Sequence, residues 1–147
     1  MLKGFIPGQF ALVAKVDVCD MDKSVDWYTS KLDFEVDPLF IGNPSWRQLN
    51  MPGLQHVAMG LSQSSKLCPT PATQPNPLPS GHAVTTFVVD DINAARQTLI
   101  RRGVDVGSIQ DVGQGVSLAF FFDPDWNQLG LRQNTKQPAS KVGWRPS

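Results

Sequence analysis

The sequence predicts an α+β fold made of two βαβββ modules. Two observations carry this prediction: a strand–turn–helix unit occurs once in each half, and the two copies are offset by 71 residues. We expect the modules at residues 1–61 and 81–133, a proline-rich linker at 62–80, and a tail at 134–147. A chain of 147 residues is long enough for both modules to form one compact domain with a buried core.

The clearer copy of the unit lies in residues 82–104. Residues 83–89 are rich in Val, Thr and Phe, which suit a half-buried strand. Asp91 follows as a helix N-cap, because its carboxylate accepts from the free N–H groups of the first turn. Apolar residues then recur at the spacing of one helix face, and Gly103 ends the helix where a left-handed residue is needed.

The earlier copy lies in residues 13–32, where Val13 aligns with Val84 and Asp20 with Asp91. Three further strands are expected after each helix, and a Gly-Leu pair late in each half repeats at an offset of 70. The same order of elements at nearly one spacing indicates two similar halves. The predicted strands cover residues 10–18, 34–41, 45–51 and 54–61, then 83–89, 104–110, 116–122 and 128–133.

Charge and hydropathy exclude several classes of partner. Thirteen basic residues balance thirteen acidic ones, so no global field favours nucleic acid or an anionic membrane. No apolar run approaches the roughly 20 residues that span a bilayer. We therefore expect neither a nucleic-acid nor a membrane partner.

The two cysteines, Cys19 and Cys68, show neither metal-ligand spacing nor a CxxC motif. We expect them to be free thiols, as in a reducing compartment. The N-terminal residues are too interrupted by Gly and Pro for a signal peptide. Together these features predict a cytoplasmic protein.

Two stretches resemble the vicinal oxygen chelate superfamily, which includes glyoxalase I, extradiol dioxygenases and bleomycin resistance proteins. They are FFDPDWNQLGL at residues 121–131 and VDVCDMDKSVDWYTSKLDF at residues 16–34. The usual family form has Gly where this chain has Trp126. The resemblance covers residues 10–133 and implies two βαβββ units whose curved mixed sheets enclose a cleft.

The resemblance also implies where a metal would bind. Metal-dependent members carry a ligand, usually His or Gln and then Glu, on the first and fourth strands of each half. In this chain those four positions are two valines and two glycines, whose side chains offer no donor atom to a divalent ion. We therefore expect no metal at the family site and no cofactor, and a metal bound elsewhere stays open. The four positions fall here on Val13, Gly60, Val84 and Gly130.

Strand alternation from these positions predicts which side chains face the cleft. It brings His56, His82, Lys15 and Asp17 to that side, and glycine at the fourth-strand positions would leave volume for a flat ligand. Lys15 and Asp17 are spaced to form an ion pair. The expected ligand-binding residues are Val13, Lys15, Trp46, Ala58, Gly60, Val84, Thr86, Trp126, Gln128, Gly130 and Arg132.

Apolar walls with sparse polar groups are typical of small-molecule pockets. We expect a metal-independent protein that binds a small, largely apolar molecule with a polar or anionic group, and that sequesters a drug or metabolite. The alternative is a cofactor-free or accessory enzyme in which His56, His82, Lys15 or Asp17 does acid–base chemistry. The resemblance also implies a homodimer, because the family commonly pairs, and closed two-fold dimers are the usual symmetric assembly.

Overall fold

Each half of the chain forms one sheet and one helix in the computed structural model, which describes residues 11–54, 56–63 and 84–134. The prediction of two βαβββ modules in an α+β fold is confirmed. The first half contains β1 (Leu12–Val18), α1 (Met21–Leu32), β2 (Glu35–Val36), a 3₁₀ turn (Pro38–Phe40), β3 (Trp46–Asn50) and β4 (Val57–Gln63). The second half contains β5 (Thr85–Val88), α2 (Ile92–Arg101), β6 (Gln110–Asp111), β7 (Ser117–Phe122) and β8 (Gln128–Gln133).

The two sheets share one topology. Their strand orders are β1-β4-β3-β2 and β5-β8-β7-β6. In each, the first strand of the half pairs in parallel with the fourth, and the second strand pairs antiparallel with the third. The repeat in the sequence thus corresponds to a repeat of the fold.

Both helices begin with the aspartate cap that the sequence predicts. The Asp20 carboxylate accepts from the backbone N–H of Lys23 at 3.1 Å, and the Asp91 carboxylate accepts from that of Ala94 at 3.1 Å. Each cap residue has the extended backbone typical of an N-cap. Gly103, with φ of 85°, follows α2 in the left-handed conformation expected for it.

A second cap on each helix comes from the last residue of a distant strand. Gln63 Oε1 accepts from the backbone N–H of Met21 at 2.9 Å, and Gln133 Oε1 accepts from that of Ile92 at 2.7 Å. These contacts satisfy one more of the four N–H groups left free at a helix start. They also fasten each helix to the end of its own sheet.

The core of the first half lies between its sheet and α1. Val18 and Tyr28 are fully buried, and Met21 is buried as well. Val25, which faces the same way along the helix, is half-buried. Ser24 is buried too, and its hydroxyl donates to the Asp125 carboxylate at 3.3 Å.

The predicted strand at residues 34–41 is correct only at its start. Pairing covers Glu35–Val36, after which residues 38–40 form the 3₁₀ turn. Asp37 Oδ1 accepts from the backbone N–H of Leu39 at 2.9 Å. Pro38 has no N–H to give to a sheet ladder and suits the first position of a helical turn, so the strand ends there.

The predicted strand at residues 104–110 is also mostly wrong. Its only regular pairing is at Gln110–Asp111, preceded by one isolated bridge between Val106 and Phe121. The Arg96 side chain donates to the carbonyl oxygens of Gly107 at 2.8 Å and of Val106 at 3.2 Å. An arginine from α2 therefore takes acceptors that a longer ladder would use.

The described chain divides into two units. The first holds the residues up to 63 together with 122–127, and the second holds 84–121 and 128–134. Residues 62 and 63 of the predicted linker form the end of β4. The rest of that linker, His82, and the tail beyond residue 134 lie outside the described residues.

Two observations bear on the predicted location. Neither described helix is long and apolar enough to cross a membrane. The expectation of free thiols is wrong for Cys19, because its sulfur is disulfide-bonded. The chain's other cysteine, Cys68, lies outside the described residues. A disulfide is more typical of an oxidising compartment, so Cys19 does not support the predicted cytoplasmic location.

Candidate functional site

One side of the first sheet collects the predicted site residues of that half. Val13 pairs with Ala58 and Lys15 with Gly60 across β1 and β4. Along its other edge β4 pairs with β3, where Asn50 is opposite Ala58 and Gln48 is opposite Gly60. Directly paired residues point to the same side of a sheet. We call this side the first-sheet face; it carries Val13, Lys15, Asp17, Glu35, Trp46, Gln48, Asn50, Ala58 and Gly60.

An open hollow of about 370 Å³ lies at one end of the first-sheet face. Its volume falls within the range of about 300 to 1,000 Å³ that is usual for small-molecule sites. Two leucines on its wall are well exposed, Leu12 by 60% and Leu54 by 56%, so apolar surface is available to a ligand. The hollow is lined by Ala11, Leu12, Val13, Gln48, Asn50, Leu54, His56, Val57 and Ala58.

Gly60 does not leave open volume on this face. A Cβ atom added to Gly60 would lie 2.1 Å from Cη2 of Trp46 and 2.3 Å from its Cζ2. The indole therefore lies directly on the glycine backbone, with the Phe40 ring packed against it at 6.5 Å between centroids. The expectation of free space at Gly60 is wrong, because a half-buried aromatic ring fills it.

Gly130 in the second unit is covered in a similar way. A Cβ atom there would lie 3.1 Å from Oγ1 of Thr86 and 3.3 Å from two ring carbons of Phe120. Thr86 pairs with Gly130 across β5 and β8. In each unit, then, an aromatic side chain from the neighbouring antiparallel strand covers the glycine of the fourth strand.

The predicted ion pair between Lys15 and Asp17 forms. Lys15 Nζ lies 3.0 Å from Asp17 Oδ1, and the two side chains are 56% and 69% exposed. Exposed pairs are screened by water and contribute little to stability. Their exposure also leaves neither group in the dry surroundings that tune a catalytic acid or base.

His56 is exposed at the hollow, just before β4. Its φ is 69°, a left-handed conformation that histidine adopts more readily than most residues. Its carbonyl oxygen accepts from the backbone N–H of Leu12 at 2.7 Å, which joins His56 to the start of β1. Because His82 lies outside the described residues, the prediction that two histidines share a site stays a prediction.

The second unit holds the predicted residues of β5 and β8 and of the segment just before β5. Val84 is exposed by 37% ahead of β5, and Gln128 is half-buried at the start of β8. Arg132 is exposed, and its Nε donates to Oδ1 of Asn134 at 2.7 Å. This predicted ligand donor is thus already engaged within the chain.

Trp126 adopts a left-handed conformation in the turn between β7 and β8, with φ of 63°. Its ring is half-buried and packs on Phe122, with 5.5 Å between centroids. Glycine takes a positive φ without strain, which explains the glycine of the usual family form. Here the ring contact offsets a backbone cost of about 1 to 2 kcal/mol.

A buried polar network missed by the sequence prediction lies beside this turn. Asp123 and Tyr28 are 3% and 0% exposed, and the Tyr28 hydroxyl donates to Asp123 Oδ2 at 2.7 Å. The same carboxylate accepts from Asn127 Nδ2 at 2.8 Å and from the backbone N–H groups of Asp125 and Asn127 at 2.9 Å each. Asp123 thus shapes the turn through Asp125 and Asn127 and also fastens the turn to α1 through Tyr28.

Burial sets the proton affinities in this network. Burial raises the pKa of Asp123 above its ordinary value, and the hydrogen bonds from Asn127 and Tyr28 oppose that rise. Burial, and then the nearby charge of Asp123, raises the pKa of Tyr28 well above its ordinary value. Every acceptor site on the carboxylate points into the turn or at Tyr28, so we assign the network a structural role.

The described residues contain no group of three or more His, Cys, Asp or Glu side chains that could hold a metal ion. The valines and glycines at the positions implied by the family resemblance have no donor atoms in their side chains. Within the part of the chain that the structure describes, the polar side chains that line the hollow are the Gln48 and Asn50 amides of β3 and the His56 imidazole.

Comparison with known protein families gives one match. The model of the glyoxalase/bleomycin resistance protein/dioxygenase superfamily matches residues 11–131, which is most of the chain. A search of curated proteins finds no significant match.

Comparison with solved structures finds the same fold. TnmS3, an antibiotic binding protein from Streptomyces sp. CB03234, is 25% identical, with a TM-score of 0.65 over 88% of this chain and 99% of that one. A glyoxalase/bleomycin resistance protein from the same organism is 25% identical, with a TM-score of 0.58 over 84% of this chain and 100% of that one. A putative glyoxalase family protein from Bacillus anthracis shares only 15% identity, with a TM-score of 0.66 over 91% and 100%, and so shows the fold alone.

Proposed function

The chain belongs to the glyoxalase/bleomycin resistance protein/dioxygenase superfamily, and on that basis we propose that it sequesters a small organic molecule without a metal. The molecule binds in the hollow of the first-sheet face. The observation that carries this proposal is the hollow itself, which combines apolar walls with two side-chain amides. Such a surface binds an apolar body and orients it through a few polar contacts.

The similarity to TnmS3 supports a binding role, since that protein is described as antibiotic binding. At 25% identity the two chains share a fold and nearly their full length. By analogy, the ligand of this chain is a drug-like or metabolite-like molecule. Its identity is not given by the fold, because one fold hosts many ligands.

The packing of Trp46 supports metal independence. A glutamate at position 60 would have to extend through the space that the indole occupies, since even a Cβ atom there would clash at 2.1 Å. Position 13 is a valine, 45% exposed on the same face. The first half therefore lacks both donors, and one of the two positions is physically closed to a longer side chain.

The half-buried Trp46 indole is not part of the hollow's lining, but it lies on Gly60, the strand partner of the lining residue Gln48, and there it offers a flat surface. One side of the ring lies on Gly60, so the ring has little freedom to move. A rigid aromatic ring provides large contact area at low entropic cost. We assign Trp46 a direct contact with the apolar body of the ligand.

The alternative function is a cofactor-free or accessory enzyme that uses His56 as an acid or base. One observation favours it: His56 lines the hollow and is exposed there. The exposed Lys15–Asp17 pair gives it no support. His56→Ala separates the two functions, because it abolishes turnover by an enzyme of this kind but leaves binding by a sequestering protein largely intact.

We also propose that the protein is a homodimer. The edge strand β1 presents Leu12 with 60% of its surface exposed, and Leu39 and Ile41 near the 3₁₀ turn are 75% and 60% exposed. Among the described residues no strand pairs with the outer edge of β1. A sheet edge with exposed apolar residues favours a partner, and a two-fold pair is the simplest closed arrangement. Light scattering at micromolar concentration should give twice the mass of the 16.1 kDa chain.

The sequestering function is tested by calorimetric titration with a panel of aromatic antibiotics, with and without a chelator. At least one compound should bind with a Kd near or below about 1 μM, which corresponds to about −8 kcal/mol, and the chelator should not change that Kd. Val13→Trp should fill the hollow and weaken binding at least tenfold.

The matched control is Val112→Trp, an equally large change at a valine 52% exposed in the second unit. This variant should bind as the wild type does. Binding that the chelator abolishes would contradict metal independence. Binding that Val13→Trp leaves intact would place the site elsewhere.

A further inference from the structure

Two side-chain amides of the hollow point their NH₂ groups at one carboxylate. Gln48 Nε2 and Asn50 Nδ2 each lie 3.4 Å from Oδ2 of Asp37. The two amides are alternate residues of β3, so both belong to the first-sheet face. Asp37 is itself held in place, because its Oδ1 accepts from the backbone N–H of Leu39 at 2.9 Å.

The carboxylate fixes which end of each amide faces it. An ionised Asp37 accepts hydrogen bonds but cannot donate one. Turning either amide over would bring a carbonyl oxygen against the negative oxygen of Asp37, which is repulsive at this distance. The contacts are long for hydrogen bonds, so each contributes little energy, but the sign of the interaction sets the orientation.

The carbonyl oxygens of Gln48 and Asn50 are therefore directed away from Asp37. Both residues line the hollow, and within the described ranges neither side-chain oxygen accepts a hydrogen bond from the protein. We propose that the hollow selects ligands that carry a hydrogen-bond donor, such as an amidinium, amide or amine N–H, on an apolar body. This inference rests on the proposed binding function and names its ligand class.

The charges on the first-sheet face act in the same direction. Glu35 pairs with Asn50 and so lies on this face, and Asp37 adjoins both amides. The cation of the face, Lys15, is paired with Asp17 at 3.0 Å. The field at the hollow thus favours a cation over an anion. Of the polar or anionic group expected from the sequence, a polar donor is therefore favoured and an anion is not.

Benzamidinium and benzoate test this selection, because they share a ring and a planar head group but differ in charge and in donors. Titration is followed by NMR of the side-chain NH₂ signals of Gln48 and Asn50 in the full-length protein. We expect benzamidinium to shift both signals and to bind at least about tenfold more tightly than benzoate, a difference of about 1.4 kcal/mol.

Asp37→Asn tests whether the carboxylate sets the amide orientation. Asparagine still accepts from the Leu39 N–H, because Asn and Asp are equally good caps. It carries an NH₂ group of its own, however, so it no longer forces the two amides into one orientation. The preference for benzamidinium should fall to less than about threefold, a difference of roughly 0.7 kcal/mol.

Asp17→Asn is the matched control. It removes one negative charge from the same face, yet no hydrogen bond joins the Asp17 carboxylate to Gln48 or Asn50 in the described structure. It should keep most of the preference. An equal loss in both variants would show that net charge, and not amide orientation, selects the ligand, and would overturn the inference.

The remaining outcomes separate this inference from the proposed function. Equal or tighter binding of benzoate in the hollow overturns the donor preference and leaves a small-molecule site in place. Failure of both compounds to bind, while other compounds do bind in the hollow, also overturns it. Failure of every compound in the antibiotic panel removes the proposed function itself.

Discussion

The hydroxyl of Tyr28 on α1 donates a 2.7 Å hydrogen bond to Oδ2 of Asp123, 95 residues later in the chain. Both side chains are buried. Asn127 in the same turn donates to the carbonyl oxygen of Asp17 at 3.0 Å. Through these contacts the turn between β7 and β8 is part of the first unit, and it supports the helix and strand behind the first-sheet face.

Tyr28→Phe should destabilise the protein by about 1.5 to 3 kcal/mol, because it takes one donor from a buried carboxylate without changing the packed volume. Urea unfolding measures the loss. Asp26→Ala, at an exposed position of the same helix, is the control and should change stability by less than about 0.5 kcal/mol. A Tyr28→Phe effect no larger than the control would show that the hydrogen bond is not needed.

The phenol of Tyr28 should make the fold sensitive to alkaline pH. Burial raises the pKa of Tyr28 well above 10.0, so the folded state keeps a proton that the unfolded chain releases. The linked stability is complete below pH 10, the ordinary value, and falls as the pH rises above it toward the pKa of the folded state. Tyr28→Phe should not show this loss.

Tyrosinate absorbance measures that pKa directly, because Tyr28 is the only tyrosine of the chain. The native protein should show little tyrosinate at pH 10.0, while the urea-unfolded protein is half-ionised there. Equal titration of the two states would contradict the buried network.

Gly60→Ala should destabilise the protein by about 1 to 3 kcal/mol, the usual cost of overpacking. The added methyl group meets the Trp46 indole at 2.1 Å. Gly42→Ala is the matched control, because nothing lies within 4 Å of its Cβ position. Trp46→Ala should remove most of the penalty of Gly60→Ala, and a double variant with the full penalty would show that the indole is not the obstacle.

Gln63→Ala and Gln133→Ala should each cost about 0.5 to 2 kcal/mol, the range for loss of a helix cap. Each glutamine accepts from the first backbone N–H of a helix, at 2.9 Å and 2.7 Å. The two costs should be similar, because the contacts are equivalent in the two halves. Thermal unfolding of the two variants measures these costs. A negligible cost in both variants would contradict the capping role.

The sequence is sufficient to predict the fold class, the repeat and both aspartate caps, because these depend on local periodicity and on short-range hydrogen bonds. It is also sufficient for the Lys15–Asp17 pair, whose members are neighbours on one strand. The glutamine caps could not be predicted, since Gln63 lies 42 residues from Met21 and the contact needs the tertiary fold.

The site depends even more on long-range geometry. Gln48 and Asn50 were missed although they alternate with Trp46 along β3, because alternation does not show that they lie beside Ala58 and Val13, which follows from the pairing of β3 with β4. The space at Gly60 was misjudged for the same reason, since Trp46 reaches it from the neighbouring strand. One usable signal was present: a large aromatic residue at the start of a strand that pairs with a glycine can cover that glycine.

The central claim, that a small molecule binds in the hollow of the first-sheet face, is tested most directly by mapping a bound ligand. The tightest compound from the calorimetric panel is titrated into isotopically labelled protein, and the backbone amide shifts are followed by NMR. We predict that the largest shifts cluster at Val13, Gln48, Asn50 and Ala58. Shifts confined to residues away from this hollow, or no shifts with any compound, would contradict the account.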